Sequence, residues 1–301
     1  MSKPDAKSAL ENAEGATEGL DPANAFNLIA DENRLAILEA LAEAEEHPVA
    51  FSELRRAVEM RDSAHFNYHL QQLTGHFVAQ VEDGYTFKHA GEKVIRALFA
   101  GSFTDDPRIE PFRVRGACVS CGGPLEASYE DEQMAITCAD CGHGHGEYGF
   151  PPGGLRDRSL DEVAMAFDNR VRHLHCLAAD GVCPECSGRM DTSINLEEER
   201  CCLGVRTVVN HECDRCGHSL CSAPGLRLLD HSEVVSFHRD RGVHLDERPY
   251  WTLPWCVSDH YAETIQRDPV VLQVTIPLDE EQLEVTLDES LTVLDTEITE
   301  Q

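Results

Sequence analysis

The sequence predicts an α+β chain, and three observations carry that expectation. Apolar residues recur at helical spacing over residues 22–100, cysteines recur in Cys-x-x-Cys pairs between Cys118 and Cys216, and apolar and polar residues alternate from Val270 onward. The first predicts a helical unit, the second two metal-stapled ribbons each followed by a helix, and the third an antiparallel β-meander.

Residues 1–20 are rich in Ala, Glu, Ser and Lys without an apolar face and are expected to form a disordered arm. Phe26, Ile29 and Ala30 mark a short helix, and Asp31 is placed to cap a second with apolar positions Leu35, Leu38 and Leu41, which His47-Pro48 ends. Ser52 is expected to cap a third, Glu53 to Met60, with Leu54, Ala57 and Val58 on one face. Asp62 or Ser63 opens a fourth, in which Phe66, Leu70 and Leu73 form the single buried stripe. Phe77 to Val81 and Tyr85 to Phe87 flank Glu82-Asp83-Gly84, a hairpin signal, and a fifth helix from Glu92 to Ala100 closes the unit.

Three helices, a two-stranded wing and a closing helix describe a winged helix-turn-helix, assigned to residues 21–103. These residues resemble ArsR-type regulators: Asp31-Glu32-Asn33-Arg34-Leu35-Ala36-Ile37-Leu38 stands where that family has its Asp-Pro-Thr-Arg-Leu run, and His65-Phe66-Asn67-Tyr68-His69-Leu70 is similar to its recognition helix. The whole chain is similar to haloarchaeal winged-helix regulators with a Cys-rich C-terminal domain. The resemblance implies a homodimeric transcription regulator that binds double-stranded DNA.

An internal duplication follows Pro111. Cys118-Val119-Ser120-Cys121-Gly122 is echoed by Cys183-Pro184-Glu185-Cys186-Ser187, and Cys138-Ala139-Asp140-Cys141-Gly142-His143 by Cys213-Asp214-Arg215-Cys216-Gly217-His218. Phe150-Pro151-Pro152-Gly153-Gly154-Leu155 answers Ala223-Pro224-Gly225-Leu226. Each copy is expected to be a ribbon plus a helix, over residues 104–181 and 182–248. Thiolates bind Zn²⁺ tetrahedrally, so Cys118, Cys121, Cys138 and Cys141 form one predicted site, and Cys183, Cys186, Cys213 and Cys216 a second. The second pair of knuckles is more widely separated, and Cys201-Cys202 lies between them as an alternative source of ligands, as does Cys221 beyond. A shell of four thiolates leaves no open position, which makes both zinc ions structural. His143, His145, His211 and His218 are expected to be solvated or outer groups, and Cys176 and Cys256 small buried hydrophobes.

Residues 249–301 are expected to form an acidic meander of three strands, Val270 to Ile276, Leu283 to Leu287 and Leu291 to Ile298. No Lys or Arg follows Arg267, which argues against nucleic acid at this end.

Composition narrows the classes of function. The 301 residues carry 55 acidic against 25 basic groups, a net charge of −30, and only four lysines, Lys3, Lys7, Lys88 and Lys93. Acid scattered through every segment is the expected surface of a halophile's cytosol rather than a binding site for basic partners. The start of the chain lacks an apolar signal core and no stretch reaches a membrane span, so a cytoplasmic location is predicted. Thirteen cysteines in such a chain point to metal rather than disulfides.

With Phe66, Leu70 and Leu73 inward, Ser63, His65, Asn67, Tyr68, Gln71 and Gln72 project outward, and Asn and Gln are side chains that bond adenine bidentately in a major groove. Arg34, Arg55, Arg56, Arg61 and Lys88 are the expected phosphate contacts. The residues from Asp62 through Phe87 include no Lys or Arg and the wing tip is Glu82-Asp83, which fits an ordinary polar surface instead. No phosphate loop, nucleophile elbow or His-Glu-x-x-His is present, and Asp161, Glu162, His173 and His175 are expected on a solvated face, so no enzyme is predicted. The alternatives to DNA reading are an adaptor that binds transcription-machinery proteins and a metal or thiol sensor using Cys201, Cys202 and Cys221. The Cys-Val-Cys motif of metal-sensing ArsR relatives is absent, Phe51-Ser52-Glu53-Leu54 standing in its place.

Overall fold

The computed structural model describes residues 20–196 and 204–300. The arm predicted over residues 1–20, Leu20 apart, and Cys201-Cys202 lie outside the described residues. The chain is a mixed α+β structure with antiparallel sheets, divided into two compact units, Met1–Phe99 and Ala100–Gln301.

The first unit opens with α1 (Pro22–Ile29), capped by Asp21, and α2 (Glu32–Glu43), capped by Asp31, whose carboxylate accepts the Arg34 N–H at 3.1 Å. Ile37, Leu38 and Leu41 of α2 are fully buried, and Leu35 is half-buried. Next comes α3 (Phe51–Ala57). It differs from the predicted helix at both ends: Ala50, not Ser52, is the N-cap, and no side chain caps it. The reason is tertiary. Val49 exchanges two backbone hydrogen bonds of 2.9 Å with Tyr85, and the Phe51 ring meets Phe66 edge-on at 5.0 Å, so packing sets where the helix begins. Glu59 adopts φ 53°, a left-handed conformation incompatible with continuing the helix to Met60.

Helix α4 (Ser63–Leu73) starts on Asp62, whose carboxylate accepts the Ala64 and His65 N–H groups. Phe66, Leu70 and Leu73 are fully buried, and His69 joins them with 5% exposure, so the buried face is wider than the expected apolar stripe. Strands β1 (Val78–Val81) and β2 (Gly84–Phe87) form a hairpin across Glu82-Asp83. Gly84 belongs to the strand. A Cβ there would lie 2.3 Å from the Val49 carbonyl oxygen, so the Val49–Tyr85 pairing requires glycine at this position. Helix α5 (His89–Ala100) begins three residues before the predicted Glu92 and buries Gly91 and Ile95.

In the second unit β3 (Ile109–Ala117), β4 (Pro124–Glu130), β5 (Gln133–Cys138) and β6 (Gly144–Gly149) form one antiparallel sheet. The chain continues into α6 (Leu160–Ala179), started by a reciprocal Ser159–Glu162 capping box. Strands β7 (Met190–Leu196), β8 (Thr207–Cys213) and β9 (Ser219–Ser222) form a second sheet, followed by α7 (Ser232–Arg239) and the short α8 (Pro254–Val257). The last sheet has four strands rather than three: β10 (Ala262–Arg267), β11 (Val270–Leu278), β12 (Glu281–Leu287) and β13 (Val293–Glu300). Half or more of the side chains of β10 face solvent, so it carries little apolar alternation; pairing with β11 defines it.

One hydrophobic cluster runs from Cys118 to Leu291, so the segments expected over 104–181, 182–248 and 249–301 share a core. Phe167 of α6 meets Tyr148, Phe150, Tyr250 and Trp251, Val163, Val171 and Leu174 of the same helix belong to this cluster, and so do Leu272, Val274, Ile276, Leu283, Val285 and Leu287 of the last sheet. Among the described residues no helix is long and apolar enough to cross a membrane.

Candidate metal centres and an exposed helix face

Each Cys-x-x-Cys folds on itself in the same way. The Gly122 N–H donates to the Cys118 carbonyl and Gly142 N–H to that of Cys138, while Ser187 and Gly217 do the same to Cys183 and Cys213. The residue after each second cysteine takes a positive φ, between 56° at Ser187 and 74° at Gly122. Three of these four positions are glycine, the residue that adopts such a φ without strain.

The turns aim sulfurs at a common point. Cys118, Cys121, Cys138 and Cys141 hold their Sγ atoms within 4.8 Å of one another, and so do Cys183, Cys186, Cys213 and Cys216. The closest pairs are Cys118–Cys141 at 3.7 Å, Cys121–Cys138 at 3.5 Å, Cys183–Cys216 at 3.7 Å and Cys186–Cys213 at 3.5 Å. A tetrahedral ion with metal–sulfur bonds of about 2.3 Å needs sulfurs about 3.8 Å apart. Both groups therefore suit one metal ion each. Backbone N–H groups of Ser120, Gly123 and Gly188 point at Cys118, Cys121 and Cys186 Sγ at 3.4 Å and favour thiolate, while burial and the neighbouring thiols hold these three above the ordinary thiol value. The Cys141 N–H lowers the Cys138 thiol to about 7, and the Cys216 N–H does the same for Cys213. In each group the first and third cysteines are buried, whereas Cys121, Cys141 and Cys216 are exposed and Cys186 is half-buried. Cys221, in β9, lies outside the second group.

The histidines differ from expectation. His145 and His211 are buried, at 2% and 1% exposure, and His175 of α6 is buried at 2% rather than on a solvated face; Asp161, Glu162 and His173 are exposed. Burial lowers His175 to about 3, with His211 adding to the effect, and lowers His145 and His211 to about 4. His175 packs edge-on against Tyr148 at 5.1 Å, and neither of its nitrogens has a hydrogen-bond partner among the described residues. Helical periodicity alone places His175 one turn past Val171, on the buried face, which is the signal sequence reading missed. Cys256 is buried as expected, whereas Cys176 is half-buried.

In the first unit, Ser63, His65, Asn67, Tyr68 and Gln71 of α4 are exposed and Gln72 is half-buried. Arg56, Arg61 and Lys88 are exposed, and Arg55 is half-buried. Lys88 Nζ donates to the Gly75 carbonyl at 2.5 Å, and Arg34 is occupied by the Asn27 carbonyl and Asp31. His69 Nδ1 lies 3.2 Å from Asp31 Oδ1, and its Nε2 lies 2.9 Å from His65 Nε2. Burial raises the Asp31 carboxyl, but the Arg34 N–H and the His69 imidazole outweigh it and leave it below its ordinary value.

Residues 115–293 match the family described as Domain of unknown function (DUF7351), more than half of the chain. The chain belongs to the DUF7351 family. The DUF7351 match contains both four-cysteine groups and most of the hydrophobic cluster that includes Cys118, Cys138, Cys183 and Cys213. Residues 22–98 match a second family, Domain of unknown function (DUF7347), a span that includes α1 to α4 and the hairpin. No curated protein and no solved structure matches the chain.

Proposed function

We propose that this chain is a sequence-specific, DNA-binding transcription regulator of the ArsR type, with a winged helix-turn-helix over residues 21–103 and a zinc-stabilised domain behind it. The observation that carries the reading is the division of α4. Phe66, Leu70 and Leu73 are fully buried, while Asn67, Tyr68 and Gln71 stand in solvent on the opposite side, and Ser63 and His65 are exposed at the start of the helix. A helix anchored this way, following α3 through a short turn and followed by a hairpin, has the form in which a recognition helix enters a major groove. Asn67 and Gln71 are one helical turn apart, so both reach the same groove segment. Arg56, Arg61 and Lys88 flank it as phosphate contacts. Zinc is the ion best matched to four thiolates at these separations, and with no open position it serves stability and not catalysis. The acidic, lysine-poor surface fits a cytoplasmic protein of a halophile acting as a homodimer on double-stranded DNA, where molar salt suppresses phosphate attraction and direct base contacts must supply affinity.

Selection from a random duplex pool with the zinc-loaded chain in molar KCl tests the reading. A defined sequence should be enriched, and Asn67→Ala and Gln71→Ala should each lose about 1–3 kcal/mol of discrimination while Arg56→Ala weakens all sequences alike.

A second reading is favoured by a separate observation: no Lys or Arg lies between Asp62 and Phe87, and Tyr68 is 59% exposed on the same face. An uncharged helix with an exposed aromatic suits a protein partner, as an adaptor to transcription machinery would need. Absence of any enriched DNA sequence supports the adaptor.

A further inference from the structure

We propose that His65 and His69 chelate a divalent transition metal, Ni²⁺ or Cu²⁺, on α4, at a site separate from the two four-cysteine groups. The two residues are four apart on one helix face, and their Nε2 atoms lie 2.9 Å from each other. Metal–imidazole bonds of about 2.0–2.1 Å spanning that separation meet at about 90°. That is the angle between neighbouring ligands in the tetragonal geometry of Cu²⁺ and Ni²⁺, whereas tetrahedral Zn²⁺ needs the nitrogens roughly half an ångström farther apart. The rings are nearly perpendicular, 80° between planes with centroids 4.5 Å apart, so the two Nε2 atoms approach each other without the rings stacking.

Asp31 supports the arrangement from behind. Its Oδ1 lies 3.2 Å from His69 Nδ1, an ion-pair distance without hydrogen-bond alignment, and a carboxylate on that side of the ring favours the proton on Nδ1, leaving the Nε2 lone pair on the side of His65. A carboxylate behind a ligating histidine biases the ring's tautomer. Asp31 is itself held by the Arg34 N–H at 3.1 Å, and His69 is 5% exposed, so one ligand is fixed in place. His65 is exposed and gives the ion access from solvent. A direct N–H···N bond between the two rings is the other arrangement this distance allows, and it is the state a metal displaces.

The test uses the full chain already loaded with zinc, titrated with NiCl₂ by calorimetry, with imidazole NMR signals followed in parallel. One equivalent of Ni²⁺ should bind without releasing zinc, and the first equivalent should broaden His65 and His69 before other histidines. His65→Gln, an exposed change that leaves the fold intact, should abolish this binding. Asp31→Asn, which retains a capping oxygen, should weaken it about tenfold or more. The proposal is overturned if the parent takes up no Ni²⁺, if His65→Gln binds as the parent does, or if other histidines broaden first; unchanged affinity in Asp31→Asn overturns the role given to Asp31.

Discussion

Replacing Asp168 by Ala removes the counter-charge of Arg172 from the interior of the second unit. Asp168 is fully buried, and its carboxylate accepts the Arg172 Nε–H at 2.7 Å and the Tyr250 N–H at 2.6 Å. Arg172 in turn donates to the carbonyls of Leu245 and Arg248, so the pair ties α6 to the chain that carries Tyr250 and Trp251. Asp168→Ala leaves a guanidinium buried with only carbonyls for partners, a loss of about 3–5 kcal/mol. Arg172→Met leaves the carboxylate, which has another way out. Burial already raises Asp168 and the Arg172 charge opposes that rise, so removing Arg172 raises the carboxyl further and favours its neutral form. A carboxyl whose folded pKa lies above its unfolded value gains stability as pH falls through the folded pKa towards the unfolded one. Arg172→Met should therefore be less damaging at pH 5 than at pH 8. Urea unfolding in molar KCl, read by fluorescence, isolates this unit, because both tryptophans, Trp251 and Trp255, are buried in it. The double variant Asp168→Ala/Arg172→Met should recover much of the loss. A midpoint for Asp168→Ala within error of the parent, or a double variant no better than Asp168→Ala, refutes the account.

Three further outcomes are expected. Elemental analysis should find about two zinc ions per chain, falling to one when Cys183 and Cys186 are both replaced by Ser; an unchanged count removes the second site. Buried His175 and His145, held to about 3 and about 4, stay neutral in the folded state while the unfolded chain takes up protons below about pH 6.5, so each costs about 1.4 kcal/mol of stability per pH unit in that window. His175→Phe should lower the pH of acid unfolding relative to the parent, both carrying the same cysteines, and an unshifted midpoint counts against the burial argument. Gly84→Ala places a methyl group 2.3 Å from the Val49 carbonyl and should cost the first unit about 1–3 kcal/mol, read by far-ultraviolet circular dichroism; an unchanged melt means the Val49–Tyr85 pairing yields without cost.

Reading along the chain found what short-range chemistry decides. The cysteine spacing and the left-handed residue after each knuckle are local, since a tight turn brings two thiolates together whatever surrounds it, and the repeat of that spacing announced two groups of four. Period alone placed Phe66, Leu70 and Leu73 on the inner side of α4, and Asp31 and Asp62 capped the helices they precede because a cap needs only its own next residues. Tertiary structure decided the rest. The start of α3 follows from the Val49–Tyr85 pairing across the hairpin, and β10 from its partner β11, neither visible in its own residues. The burial of His145, His175 and His211, the tie between Asp168 and Tyr250, and the 2.9 Å approach of His65 and His69 backed by Asp31 join residues whose polar side chains read as surface. A polar side chain becomes an interior group only when a distant segment supplies its cover and its partner, and sequence carries that cost in no nearby residue.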